Sequence, residues 1–303
     1  MDDRNAIMGE DVFHKFAIAA LLCGLPGVAL AADEKQERKP DWAVAVDGGT
    51  TFGGGLGNQP FVSLSLTRNL DDNYVRVSVS QISADTNART AIFVPATTRL
   101  VRLSGGLALG DFTLEGYGTF GDRAFDARNV RRANNTTINI SSSGSIAGGG
   151  ASLTYDLALS ERLFLSPYVA IDYSRITTAR VVTGTGLANP LLLNESQSGV
   201  TGSGGATLQY VFGPKDRHLL AFTGSALTTS NDASVNRSNA TGATGNALGV
   251  LNGNGVSDTW GEIALTGSFG LNDRLSFTVN AVRTLGFAIG DTTSISGGLR
   301  LAF

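Results

Sequence analysis

From residue 42 onward the chain alternates apolar with small or polar residues over short stretches. That is the period of a strand, whose successive side chains face opposite ways. The closing stretch shows it plainly. Ile295, Gly297, Leu299, Leu301 and Phe303 share one parity, while Ser294, Ser296, Gly298, Arg300 and Ala302 take the other. A terminal strand with an exposed end invites aggregation in a soluble sheet. It is at home where it pairs with the first strand and closes a barrel in a membrane.

The same alternation predicts eleven strands before it. The first runs from Trp42, with Val44 and Val46 outward and Ala43, Ala45 and Asp47 inward. A glycine-rich connection, Gly53 to Pro60, leads to a second, Val62, Leu64 and Leu66 against Ser63, Ser65 and Thr67. Asp71-Asp72-Asn73 is a tight turn, since these residues tolerate turn conformations. The third strand sets Val75, Val77 and Val79 against Arg76, Ser78 and Ser80. A long link, Asp85 to Thr98, precedes the fourth, Val101, Leu103, Leu107 and Leu109 against Arg102, Ser104, Gly106 and Ala108. Gly110-Asp111 turns into the fifth, Phe112 and Leu114 against Thr113, Glu115 and Tyr117.

A polar loop from Gly121 to Gly144 comes next, then a sixth strand, Ala151, Leu153, Tyr155 and Leu157 against Ser152, Thr154, Asp156 and Ala158. Past Ser160-Glu161, the seventh places Leu163, Leu165, Pro167, Val169, Ile171 and Tyr173 opposite Ser166, Tyr168, Ala170, Asp172 and Ser174. A loop from Thr177 to Gly199, with an apolar patch at Pro190 to Leu193, reaches the eighth, where Ala206, Leu208, Tyr210 and Phe212 oppose Thr207 and Gln209. Gly213 to Asp216 turns into the ninth, Leu220, Phe222 and Ala226 against Ala221, Thr223 and Ser225. The longest loop, Thr228 to Asn254, precedes the tenth, Ile263, Leu265 and Phe269 against Glu262, Ala264, Thr266 and Ser268. Leu271-Asn272-Asp273 turns into the eleventh, Leu275, Phe277, Val279 and Ala281 against Ser276, Thr278 and Asn280. Beyond Val282-Arg283 the parity blurs, where a bulge is expected, and a short loop through Gly290-Asp291 reaches the twelfth.

Twelve is even, and the links after even strands are short while those after odd strands are mostly long and polar. Short periplasmic turns, long outer loops and two periplasmic termini are the rule for bacterial outer-membrane barrels. A soluble sandwich would need apolar residues on its inner faces. The expected fold is therefore all-β, a 12-stranded antiparallel transmembrane barrel over residues 42–303.

Composition refines this picture. Residues 1–31 read as a signal peptide, with a short apolar run from Phe16 and a small-residue cut site at Ala29-Leu30-Ala31. Gly24-Leu25-Pro26-Gly27 would break a spanning helix, and the acidic lead before Met8 leaves the start of translation open. Residues 32–41 read as a charged periplasmic tail. Cys23, the one cysteine, lies inside the signal, and Leu22 before it is not the small residue a lipoprotein signal needs. Thiol catalysis, disulfides and cysteine-held metals are thereby excluded from the mature chain. The whole chain carries a net charge of −3. No basic field points to nucleic acid.

Gly148-Gly149-Gly150-Ala151-Ser152-Leu153-Thr154-Tyr155, then Leu163 through Arg175, and the closing Gly298-Leu299-Arg300-Leu301-Ala302-Phe303 resemble the autotransporter β-domain of Gram-negative outer membranes. The resemblance implies a twelve-stranded barrel inserted by the barrel-assembly machinery through a terminal strand ending in phenylalanine, here Phe303. It also implies a secreted passenger before the barrel. Only Ala32 to Asp41 stands there, so passenger export is not expected and no family cleavage residues carry over.

No enzyme site is expected. His218, the one histidine of the mature chain, sits in a predicted periplasmic turn and reads as solvated; catalysis would need a nucleophile and an orienting group beside it. No cofactor or metal is implied, and the glycine clusters lack the Lys-Ser/Thr of a phosphate loop. The inward charges Asp47, Arg76, Arg102, Glu115, Asp156, Asp172, Glu262 and Arg300 are the functional candidates. They tune ion preference in a pore, or they pair and fill a narrow lumen. Arg128, Arg131 and Arg132 offer contacts to anionic lipopolysaccharide or a host polyanion, or simply face water. The leucine patch at 191–193 is read as dipping toward lipid or plugging the mouth. Two functions follow. A polar Ser/Thr lumen favours a passenger-less surface protein or small general pore; the other is a structural or adhesive protein with an occluded lumen, binding through its loops. Expected partners are outer-membrane lipid, lipopolysaccharide and the barrel-assembly machinery.

Overall fold

In the computed structural model the described residues are 41–53, 56–84, 96–125, 128–131, 137–184, 190–232, 236–237, 248–249, 256–287 and 290–303. The expected signal peptide and all of the expected tail except Asp41 lie outside them. Alternating β-branched, leucine and hydroxyl residues form twelve spanning strands. These are β1 (Trp42–Gly53), β2 (Leu56–Leu70), β3 (Asn73–Ala84), β4 (Ala96–Leu109), β5 (Phe112–Phe125) and β6 (Thr137–Tyr155, continued by Leu157–Ala158). Then come β7 (Leu163–Gly184), β8 (Leu191–Phe212), β9 (His218–Thr229), β10 (Asp258–Gly270), β11 (Leu275–Leu285) and β12 (Thr292–Ala302). Each strand pairs antiparallel with the next.

The sheet closes on itself. β12 pairs with β1 from Ala43 opposite Ala302 to Gly53 opposite Thr292. Past Ala302 the seam runs one residue further: Trp42 N–H donates to the Phe303 carbonyl at 3.1 Å, and Phe303 N–H to the Trp42 carbonyl at 2.9 Å. Closure leaves no free edge in the wall, which is what a sheet needs where no water can satisfy its backbone. A soluble protein would bury the residues that this wall leaves exposed. Val46, Leu66, Val77, Leu103, Leu114, Val169, Ile171, Leu208, Phe222, Leu265, Val279, Ile295 and Leu299 all lie on the outer surface. Aromatic rings gather at the end where the short turns lie: Phe112 on Tyr155 with centroids 4.7 Å apart, and Tyr210 on Phe212 at 5.9 Å. An apolar band flanked by aromatics is the surface lipid selects.

The strands are longer than their alternation predicts. β5 continues to Phe125 and β6 begins at Thr137, so the expected loop from Gly121 to Gly144 is largely sheet. β7 and β8 run 22 residues each, turning most of the expected 177–199 loop into a hairpin. Their serines, threonines and glycines stand above the lipid, where a strand needs no apolar face. β4 starts at Ala96, inside the expected 85–98 link. In the long β9–β10 connection, Asn236–Arg237 pairs with Leu248–Gly249. β11 holds register to Gly261 opposite Leu285, so the expected bulge is not there. Thr284 stays buried and Leu285 exposed. The blur arose because Arg283, on the outward parity above the apolar band, pairs with Asp291 at 4.0 Å. A register shift falls instead between Thr51 and Gly53.

Candidate functional site

The lumen is the one surface on which the strands converge their inward side chains, and its lower half is polar. Tyr74, next to the β2–β3 turn, donates its hydroxyl to Glu115 Oε1 at 2.6 Å across β4. That reach is possible because Gly106 lies between them; a Cβ there would stand 2.3 Å from the Tyr74 ring. Tyr117 likewise donates to Asp172 Oδ1 over Gly150, which pairs with both residues. The Arg102 guanidinium stacks on the Tyr117 ring at 3.8 Å, and that of Arg76 on Tyr74 at 4.8 Å. Such contacts hold a cation without a carboxylate partner.

Arg76 also donates from Nε to Thr67 Oγ1 at 3.1 Å. Four of the eight sequence candidates, Arg76, Glu115, Arg102 and Asp172, are thus gathered around Tyr74 and Tyr117 on β3 to β7, while Asp47 lies on β1 and Arg300 on β12 across the seam. Asp156 and Glu262 stand apart. Asp156 accepts from Ser166 Oγ at 2.5 Å, which in turn accepts from Gln209 Nε2 at 3.1 Å. Glu262 accepts from Trp260 Nε1 at 2.7 Å. The aromatic partners Tyr74 and Trp260 escaped the sequence reading; each lies one step off the charges it serves, on the inward parity.

The upper half is different. Phe61, Ile82, Leu100, Ile146 and Ile176 form one buried cluster. Strand parity turns every one of them inward: Phe61 alternates with exposed Val62, and Leu100 shares its face with Arg102. Leu100, Gly121, Ile146 and Ile176 follow one another across the paired strands β4 to β7. Phe61 opposes Ile82 on β2 and β3. Across the lumen on β10, buried Trp260 packs on Phe287 with centroids 4.6 Å apart. A water-filled pore is lined by polar groups. This cluster is apolar, although buried Thr98 and Arg123 follow Ile82 in the same row.

His218 is not a solvated turn residue. Its ring packs between Phe212 and Phe269 at 5.3 and 5.9 Å, with Nδ1 buried and without a hydrogen-bond partner. Nearby, Arg217 and Lys215 of the β8–β9 turn pair with Asp273 of the β10–β11 turn. The leucine patch at 191–193 begins β8 and stands in solvent, 50, 60 and 49% exposed. Arg128–Arg131 forms a short strand along β6, and Arg132 lies outside the described residues.

Two solved structures share this architecture. The translocator domain of autotransporter NalP from Neisseria meningitidis matches with a TM-score of 0.63 at 12% identity, over 98% of this chain and 95% of that one. The beta domain of the Bordetella autotransporter BrkA matches with a TM-score of 0.60 at 12% identity, over 88% and 99%. At such identity they speak for the fold alone. No curated protein sequence matches the chain significantly. The family model "Autotransporter beta-domain" matches residues 96–282, more than half of the chain. With a closed twelve-stranded wall, an apolar outer surface and that match, the chain belongs to the autotransporter β-domain family and is a β-barrel of the outer membrane.

Proposed function

We propose that this barrel is a surface-anchored structural or adhesive protein whose lumen is closed, acting through the strands and loops that rise above the membrane. The carrying observation is the inward cluster of Phe61, Ile82, Leu100, Ile146 and Ile176, with Leu100 only 3% and Ile146 2% exposed. A constriction lined by such side chains expels water, and an ion crossing it loses its hydration shell without replacement. The polar network below then serves to brace the wall, its guanidiniums held by tyrosine rings and carboxylates. The competing reading, a small general pore tuned by Arg76, Arg102, Glu115 and Asp172, draws on that same lower level. Single-channel recording decides between them. The refolded barrel, verified by its heat-dependent gel shift, is expected to be silent in a planar bilayer. A steady ohmic current in the unmodified protein would instead make it a pore.

Outer-membrane lipid and lipopolysaccharide surround the wall in this reading, and the barrel-assembly machinery inserts it. The two Trp42–Phe303 hydrogen bonds make the terminal residue part of the seam that assembly must close. Removing Phe303 is expected to deplete folded barrel in cells, measured as the heat-shifted fraction in isolated membranes. An undiminished fraction would remove Phe303 from assembly.

A further inference from the structure

β7 and β8 carry 22 residues each, where β9, β11 and β12 carry 12, 11 and 11. About 9–11 residues suffice to span. The excess stands above the barrel as an arm, made of β6, β7 and β8 with the short Arg128–Arg131 strand on its far side. β9 stops pairing with β8 at Thr201, opposite Thr229. Ser230 and Asn231 then cover two further rungs. Ser230 N–H donates to the Val200 carbonyl at 2.9 Å, and Val200 N–H to Ser230 Oγ at 3.0 Å. Asn231 Nδ2 donates to the Ser198 carbonyl at 3.1 Å.

These bonds show which backbone groups of β8 face that side. They belong to Val200 and Ser198, and alternation assigns the same direction to Ser196, Asn194 and Leu192. Among the described residues no strand pairs with β8 there. Open among the described residues and flanked by Leu191, Leu192 and Leu193, all about half exposed, this edge is a template for another strand.

We propose that this edge pairs with the same edge of a second copy of the chain, anchored in an opposed membrane. The inference rests on the adhesive reading above and names its partner. The segment is self-complementary in one register. An antiparallel pair centred on Leu193 sets Leu193 against Leu193 at the close, non-hydrogen-bonded position, where cross-strand side chains pack. Leu192 and Asn194, whose donors and acceptors point outward, then exchange bonds with Asn194 and Leu192 of the second copy. Glu195 falls opposite Leu191. Centring on Glu195 instead would face two carboxylates, which disfavours it.

Direction settles the rest. β8 runs from its outer tip toward the membrane in every copy, so two copies in one membrane present parallel edges. Antiparallel pairing requires the second copy to be inverted. Seven residues separate Leu193 from Val200, where the apolar wall begins; at about 3.3 Å each on tilted strands, the bilayers would sit on the order of 40 Å apart.

The test uses the refolded chain in two vesicle populations carrying different fluorescent lipids and an entrapped dye. Co-clustering is expected only when both populations carry protein. Asn194→Pro removes one outward N–H and leaves the β7 ladder intact, as proline is tolerated on an edge; clustering should fall to the level of empty vesicles. Leu193→Lys should also abolish it, and mixing Leu193→Lys vesicles with Leu193→Asp vesicles should restore it. Clustering that survives Asn194→Pro, or is absent in the unmodified chain, overturns the proposal. Failure of the Lys–Asp mixture overturns the register and with it the two-fold contact. Dye retention is read in the same vesicles and reports the closed lumen separately, so either reading can fail alone.

Discussion

The lower and upper lumen are built on the same strands and solve the same problem in opposite ways. Below, inward positions hold Tyr74, Arg76, Arg102, Glu115, Tyr117 and Asp172, and space is filled by side chains that bond across intervening glycines. Above, inward positions on β3, β4 and β7 hold Ile82, Leu100 and Ile176, which meet in apolar contact. Arg102 and Leu100 are two residues apart on β4, so the change is abrupt there, while Ser78 and Ser80 intervene on β3 and Ser174 on β7. A polar network sets distances and orientations but leaves room for water between its members. An apolar cluster sets neither so tightly and leaves water out. On the proposed reading, bracing and sealing are divided between two levels of one barrel.

The largest expected effect comes from erasing that difference. Phe61→Ser with Leu100→Ser removes the apolar side chains that β2 and β4 contribute to the cluster. A steady single-channel current should appear where the unmodified protein is silent, with the folded gel shift kept. An unchanged silence would move the seal elsewhere. Next is Gly150→Val, aimed at the lower level. Even a Cβ at this position would stand 2.6 Å from the Ile171 carbonyl and 2.8 Å from the Tyr117 ring. Overpacking of this kind costs roughly 1–3 kcal/mol. Urea unfolding of the refolded barrel should show the loss while the current stays near zero; a rise in current would mean that the lower level also seals.

The two levels were not equally legible in the sequence. Alternation finds a strand by contrast between an apolar and a polar face, so it reads the lower barrel well: the inward side of β7 from Ser166 to Ser174 is plain. It fails where both faces are apolar or both polar. Ile82, Leu100 and Ile176 sit just past the predicted strand ends, and Ile146 five residues before one, because apolar residues on the inward parity erase the contrast. The 121–144 and 177–199 segments vanished for the opposite reason, serine, threonine and glycine on both faces of an arm in water. The strand count, the short turns and the closing seam survived, since turn residues and the outward leucines mark them independently. The eight candidate charges were named by parity alone. Their partners were not, because a tyrosine on the inward face carries no signal until a carboxylate is placed across a glycine from it.

A subtler comparison uses hydroxyl and methyl deletions. Tyr74→Phe keeps the ring under Arg76 and removes the donor to Glu115. A bond to a charged acceptor is worth about 1.5–3 kcal/mol when its loss strands the acceptor. Water in the lower lumen can replace it, so the lower end of that range is expected in urea unfolding, and a loss above it would show that the level is dry.

Ile146→Val is the smallest change and the sharpest on the upper level. It removes one methyl from a residue only 2% exposed, between Gly121 and Ile176. Where the neighbours are packed without water, such a deletion costs about 0.5–1.5 kcal/mol, because the space left is too small to hydrate and the surroundings close only in part. In a wet lumen the same methyl would be removed from contact with water, and stability would stay level or rise slightly. The sign of the shift in the urea midpoint therefore reports whether water reaches Ile146, without any measurement of current. A loss near 1 kcal/mol with no conductance places the seal at this row; no loss would leave the upper lumen apolar but open.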